Sequence, residues 1–200
     1  MEKVLIGIPC MDTTPIEFTA SLVKLECENK EFIMISNSLV YDARNQIANH
    51  AIVNGFDYLL FIDSDMVFPA DGLKKLMAHD KDIVGGLYFG RRGKHEPIAY
   101  KEVTPRGWFD NPSCTPIDKF QGLQEVQGMG LGFCLIKVDA LKKIVKRYKS
   151  IFEPIKGLGE DLAFEYKARK CGYKIYCDTY IDIYHVAQTK IGRNDYEFNK

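Results

Sequence analysis

The stretch Tyr58-Leu59-Leu60-Phe61-Ile62-Asp63-Ser64-Asp65 decides the fold. Five consecutive apolar residues, without the alternation of a half-solvated strand, predict a strand covered on both faces. It runs directly into two carboxylates two residues apart, and on an extended chain such residues face the same way. Ligands of open α/β sheets bind beyond the carboxyl ends of the strands, which is where Asp63 and Asp65 fall. A divalent cation bridging both acids to a diphosphate would relieve their repulsion. The structural alternative is a polar Asp-Ser-Asp turn leading into the next helix.

On the N-terminal side, residues 43–54 carry Ile47, Ala48, Ala51 and Ile52 as one apolar stripe, closed by Gly55, and predict a helix. Before it, 4–10 and 32–36 read as strands and 17–25 as a helix. On the C-terminal side, Pro69 opens a predicted helix through Leu73, Leu76 and Met77, and 83–88 read as a strand. Pro97, Pro105, Pro112 and Pro116 interrupt 90–125, predicting loops and short strands with Ile98, Trp108, Phe109 and Phe120 available for packing. Regularity returns with a strand over 132–138, helices over 140–148 and 161–171, and a strand over 173–177. This alternation predicts an α/β fold with a mainly parallel central sheet. The 200 residues suit one domain.

Composition narrows the function. Lys+Arg and Asp+Glu both number 27, so the basic excess of a dedicated nucleic-acid binder is absent and no nucleic-acid partner is expected. No segment approaches the roughly 20 apolar residues of a membrane span. The apolar run after Met1-Glu2-Lys3 stops at Pro9, too short for a signal peptide, so we expect a cytoplasmic protein. Six scattered cysteines, with no C-x-x-C pair, read as free thiols.

Two further places carry chemistry. Gly159-Glu160-Asp161 opens a predicted helix; acids in a first turn suit the helix dipole, so a structural reading stands beside a catalytic one. His185, within Asp182-Ile183-Tyr184-His185-Val186, taken alone reads more readily as a packed or solvated side chain than as a ligand.

Taken together, the Arg44-Asn45 helix, the strand ending in Asp63-Ser64-Asp65, Gly159-Glu160-Asp161 and the late His185 resemble the GT-A glycosyltransferases, family 2 in particular, over nearly the whole chain. The resemblance implies a three-layer α/β/α, Rossmann-like nucleotide-diphospho-sugar transferase fold. It implies a single domain over 1–200, with a nucleotide-sugar-binding half over about 1–92 and an acceptor and catalytic half over about 93–200. Asp65 would bind Mn²⁺ or Mg²⁺, His185 would be the C-terminal metal ligand, and Asp63 would touch the ribose or the metal shell. Pro9, Cys10 and Thr14 would frame the base, Arg44 would contact the nucleotide, and Ser64 would lie in the donor site. Asp161, with Glu160 beside it, would be the catalytic base of an inverting transfer. The donor would be a UDP- or GDP-sugar, and the acceptor a hydroxyl of a glycan or glycoconjugate.

The chain departs from that pattern in places. Asn37 and Ser38 stand where the family has an acid contacting the base, and the Gln-x-x-Arg-Trp signature of processive members is absent. Within Gly128-Met129-Gly130-Leu131-Gly132, the glycines precede a strand, unlike a dinucleotide loop. They either let backbone, at Gly130, approach the donor sugar or form a tight turn. Arg91, Arg92, Lys94 and His95 could meet an acidic group, though a solvated loop is the default. Leu59 to Val67 also resembles the haloacid-dehalogenase phosphatases, where Asp63 would be the nucleophile and Asp65 the general acid. That motif normally sits on a first strand, whereas 62 residues precede Asp63. A non-catalytic nucleotide-sugar-binding module is the third alternative.

Overall fold

The computed structural model describes residues 2–91, 95–107 and 110–187; Arg92, Lys94, Trp108 and Phe109, named above, lie outside them. The first half contains β1 (Val4–Pro9), α1 (Ile16–Lys24), β2 (Lys30–Ile35), α2 (Val40–Val53), β3 (Tyr58–Ile62) and β4 (Met66–Val67). Then come α3 (Gly72–Ala78), β5 (Ile83–Gly86), β6 (Ala99–Thr104), β7 (Ser113–Pro116), β8 (Leu123–Val126) and β9 (Gly128–Met129). The chain closes with β10 (Phe133–Lys137), α4 (Val138–Tyr148), α5 (Glu160–Lys170), β11 (Ile175–Asp178) and β12 (Tyr184–His185).

Seven strands form the central sheet in the order β2-β1-β3-β10-β5-β11-β8. β1 pairs parallel with β2 and β3, and β5 with β11. β10 runs antiparallel between β3 and β5, and β8 antiparallel beside β11, so five of the seven strands share one direction. The sheet is thus mostly parallel, with β10 inserted against the grain at its centre.

β3 shows why its run is apolar at every position. Leu59 and Phe61 pack with Ile47 and Ala51 of α2, Ile144 of α4 and Phe164 of α5. Leu60 and Ile62 join the other cluster, with Phe18 of α1 and Leu73 and Leu76 of α3. All four are fully buried, and each contributes about 1.5–3 kcal/mol on leaving water. Carrying no solvent-facing side chain, β3 is a rigid mount for the acids at its end.

Element boundaries shift modestly from the sequence pattern. α2 begins at Val40 instead of 43, and α3 at Gly72, after Pro69. The irregular 90–125 region holds β6 and β7, which with β9 make a separate three-stranded antiparallel sheet. Two side chains fix the approach to α5. Asn45 of α2 accepts the N–H groups of Ile151 (3.1 Å) and Phe152 (3.0 Å) through Oδ1. Lys167 of α5, almost fully buried, donates to the carbonyls of Ser150, Ile151 and Glu153 at 2.8–3.3 Å. Among the described residues, no helix is long and apolar enough to cross a membrane.

Candidate active site

Three elements meet around one buried guanidinium. Arg44, on the first turns of α2, is 1% exposed. Its Nη2 donates to Asp63 Oδ1 at 3.0 Å and lies 3.4 Å from Asp161 Oδ1, with the guanidinium 5.2 Å from the Phe61 ring. Burial alone would lower its pKa, but Asp63, Asp161 and Glu160 outweigh it and hold the group more firmly protonated than usual. Arg44 therefore ties the end of β3 to the start of α5. It faces inward onto two acids; the nucleotide contact that the resemblance implies for Arg44 is a separate role.

Asp161 stands in the first turn of α5, after the N-cap Gly159. A helix N-terminus should depress its pKa. Instead it is pushed up to about 7: burial is the largest cause, and Glu160 and Asp63 add to it against the pull of Arg44. The backbone N–H of Leu131 acts weakly in the other direction and favours the ionised form. A carboxylate titrating near neutrality suits a general base better than one lowered by the dipole would.

The second cluster lies at the neighbouring turn. Asp63 and Asp65 leave β3 in a turn closed by the Met66 N–H on the Asp63 carbonyl (3.2 Å). β12 pairs antiparallel with β4, and the Val186 N–H bonds the Asp65 carbonyl at 2.8 Å. This pairing brings His185, 120 positions later, to Asp65: Nε2 lies 3.2 Å from Oδ2. Arg91 donates to the same carboxylate. Burial raises the Asp65 pKa, but the bond and charge of His185 with the charge of Arg91 bring the net below the ordinary range. His185 is raised, first by its bond to Asp65. Its Nδ1 donates to the Phe89 carbonyl at 3.2 Å, which orients the ring and turns Nε2 toward Asp65.

That pair suits a divalent cation. A carboxylate and an imidazole converge, the imidazole is oriented by a backbone carbonyl, and both side chains are about one-fifth exposed. Among the described residues, no group of three or more His, Cys, Asp or Glu gathers at such a site, so further ligands would come from donor and water. Asp63 has Oδ1 engaged by Arg44.

Pro9 ends β1, the Cys10 thiol donates to the Ile35 carbonyl at 3.7 Å, and Thr14 meets Thr19 through their hydroxyls at 3.3 Å. Ser64 and Glu160 are half-buried beside Asp63 and Asp161. His95 bonds the Gly90 carbonyl through Nδ1 at 2.7 Å.

Two residues escaped the sequence reading. Tyr88 is 5% exposed, packs edge-on against His185 at 5.6 Å, and receives the Gly132 N–H at 3.3 Å. A Cβ at Gly130 would stand 1.8 Å from the Tyr88 hydroxyl, and one at Gly132 would stand 2.4 Å from Met66 Cε. Packing against Tyr88 is thus enough to require glycine at 130, while at 132 a Cβ would crowd the Tyr88 ring and displace the end of Met66. Glu165, one turn after Asp161 and 0% exposed, accepts the Met129 N–H with both oxygens at 3.0 and 2.9 Å. Glu165 therefore holds the backbone at Met129. Burial raises the Glu165 pKa well above the usual range. The spacing of Asp161 and Glu165 was visible in sequence, but nothing distinguished Glu165 from a solvated helix residue. Glu165→Gln keeps an acceptor for Met129 and is expected to change stability by under about 1 kcal/mol. Glu165→Ala orphans the N–H and leaves a cavity, and should lower stability by about 2–4 kcal/mol in urea unfolding.

No family model matches the sequence, and no curated protein matches it. Solved structures do. The chain is similar to A197 from STIV, with 25% identity, a TM-score of 0.68, and coverage of 94% of this chain and 87% of that one. It is also similar to GalNAc-T7, whose crystal structure contains UDP, GalNAc and Mn²⁺. There the identity is 12% and the TM-score 0.65, over 95% of this chain and 45% of GalNAc-T7, so this chain spans under half of that protein. The fold is glycosyltransferase-like.

Proposed function

We propose that this chain is a metal-dependent glycosyltransferase of the GT-A type: one three-layer domain that transfers a sugar from a nucleotide-diphosphate donor to a hydroxyl acceptor. The observation that carries this reading is the meeting of Asp65 and His185 at 3.2 Å, beside the acids Asp63 and Asp161 joined by Arg44. The glycosyltransferase-like fold supports it, and family 2 membership is part of the proposal. The nucleotide lies against Pro9, Cys10 and Thr14, in the half over about 1–92. The acceptor enters through the half over about 93–200.

Asp65 and His185 would hold Mn²⁺ or Mg²⁺, with Asp63 touching the ribose or the metal shell. A cation held there would supply positive charge to a diphosphate leaving group. Arg44 keeps Asp63 and Asp161 apart and compensated. Asp161 takes the proton of the acceptor hydroxyl as that oxygen attacks the anomeric carbon, inverting its configuration. The phosphatase alternative places its nucleophile at the end of a first strand, whereas Asp63 ends β3, after β1 and β2.

Calorimetry with Mn²⁺ and UDP, GDP, TDP or CMP species tests the reading. One nucleotide should bind in the micromolar range only with metal, and Asp65→Ala should abolish that binding without unfolding the protein. Binding that persists unchanged in Asp65→Ala would remove the central claim.

A further inference from the structure

Among the described residues, five aromatic side chains stand exposed: Phe32, Phe89, Phe120, Tyr180 and Tyr184. Phe32 is on the edge strand β2. The other four follow β5, precede β8, follow β11 and lie in β12. Because β8 runs antiparallel to β11, with Leu123 opposite Asp178, all four reach the same sheet edge as Asp65. Tyr184 precedes His185 on a strand and so faces away from Asp65. Phe89, Phe120 and Tyr180 remain.

These three are held in place. Phe89 and Phe120 pack edge-to-face with centroids 5.9 Å apart, and the Phe89 carbonyl is the group that orients His185. The 118–122 segment is tied to the end of β11: Gly122 N–H donates to Thr179 Oγ1 at 2.8 Å, and Thr179 N–H to the Gly122 carbonyl at 3.1 Å. Gly122 has φ +79°, and a Cβ there would stand 3.2 Å from the Tyr180 ring. Asp178 Oδ1 accepts the Tyr180 N–H at 2.8 Å. Exposed apolar rings fixed beside a polar site mark a ligand surface.

The occupant follows from position and chemistry. The sheet order sets β5, β11 and β8 at the opposite end from β1 and β2, with the acids of β3 between, so a base lying at Pro9 and Cys10 does not reach these rings. A lipid tail needs aliphatic surface. Among the described residues, the exposed large aliphatic side chains (Met11, Ile16, Val23, Met34, Leu39, Val40 and Val53) all belong to the segment from the end of β1 to the end of α2, and none to the β5, β8, β11 and β12 segments that carry the rings. A pyranose has one C–H face to lay on an aromatic ring and a rim of hydroxyls to present to carboxylates. We propose that Phe89, Phe120 and Tyr180 form a stacking platform for a pyranose of the acceptor, which makes the acceptor a sugar-bearing molecule. This rests on the glycosyltransferase reading above and narrows it.

The test uses the full chain on an array of immobilised glycans in the presence of UDP and Mn²⁺, with UDP binding followed separately by calorimetry. Wild type should capture a set of pyranose-terminated glycans. Phe89→Ala and Phe120→Ala should each weaken capture by roughly tenfold, the scale of one lost stacking partner. Phe120→Tyr should retain capture, Phe32→Ala should leave it unchanged, and UDP affinity should stay constant in all four variants. Melting curves check that the variants fold. Undiminished capture by both alanine variants overturns the platform, as does wild type that binds UDP and Mn²⁺ but no glycan. Glycan capture that depends on Phe120, without binding of any nucleotide, would keep the platform and sink the transferase reading instead.

Discussion

Arg44→Met is expected to lower stability by about 3 kcal/mol at pH 7.5, read from urea unfolding. The substitution fills most of the same volume but leaves Asp63 and Asp161 facing one another without their cation. Removing one partner of a buried ion pair costs about 3–5 kcal/mol. The lower end applies because both carboxylates are 27% exposed and can recruit water. Protonation of Asp161 should absorb part of the loss, so the deficit should shrink as the pH falls toward 5. Arg44→Met combined with Asp161→Asn should regain part of the stability, since one of the stranded charges is gone. If the single variant were as stable as wild type across this range, Arg44 would not be the compensating charge of the cluster.

Asp161→Asn is expected to cut turnover by about two to four orders of magnitude with donor affinity nearly unchanged, the usual scale for a lost general base. The pH dependence gives a second signature. A base must be ionised, so with its pKa pushed up to about 7 the rate should rise as pH climbs through neutrality and level off above it. Stability runs the other way. The folded-state pKa lies above the ordinary Asp value of about 3.9, so the contribution of this group is fully present below about pH 4 and is lost as pH rises through about 7. The variant should flatten both profiles. A pH–rate limb that survives in Asp161→Asn would move the base to another residue. NMR analysis of the product checks the stereochemistry, and retention would rule out this single-displacement role for Asp161.

By itself, the sequence determined the parts of this protein that depend on local pattern. An unbroken apolar run of five residues such as 58–62, too short for a helix of its own and bounded by polar residues, predicts a strand covered on both faces, and the acids that end it then emerge at the carboxyl edge. The stripe of Ile47, Ala48 and Ala51 fixes a helix packed on that strand, and the order of the motifs along the chain carried the resemblance. Tertiary structure decided what depends on direction and on contact between distant residues. β10 is buried and apolar from Phe133 to Ile136, much like β3, and nothing in such a run records that it enters the sheet antiparallel. In the 90–125 region β6 is bulged between Tyr100 and Glu102 and β7 ends at Pro116, so neither shows a clean period. Arg44 carried only the nucleotide contact that the resemblance implied, and its pairing with Asp63 and Asp161 emerges only when α2 packs against β3 and α5. For the same reason Asp161 escapes its helix dipole. Burial, which depends on every element around it, outweighs the local field, and no stretch of sequence contains that information.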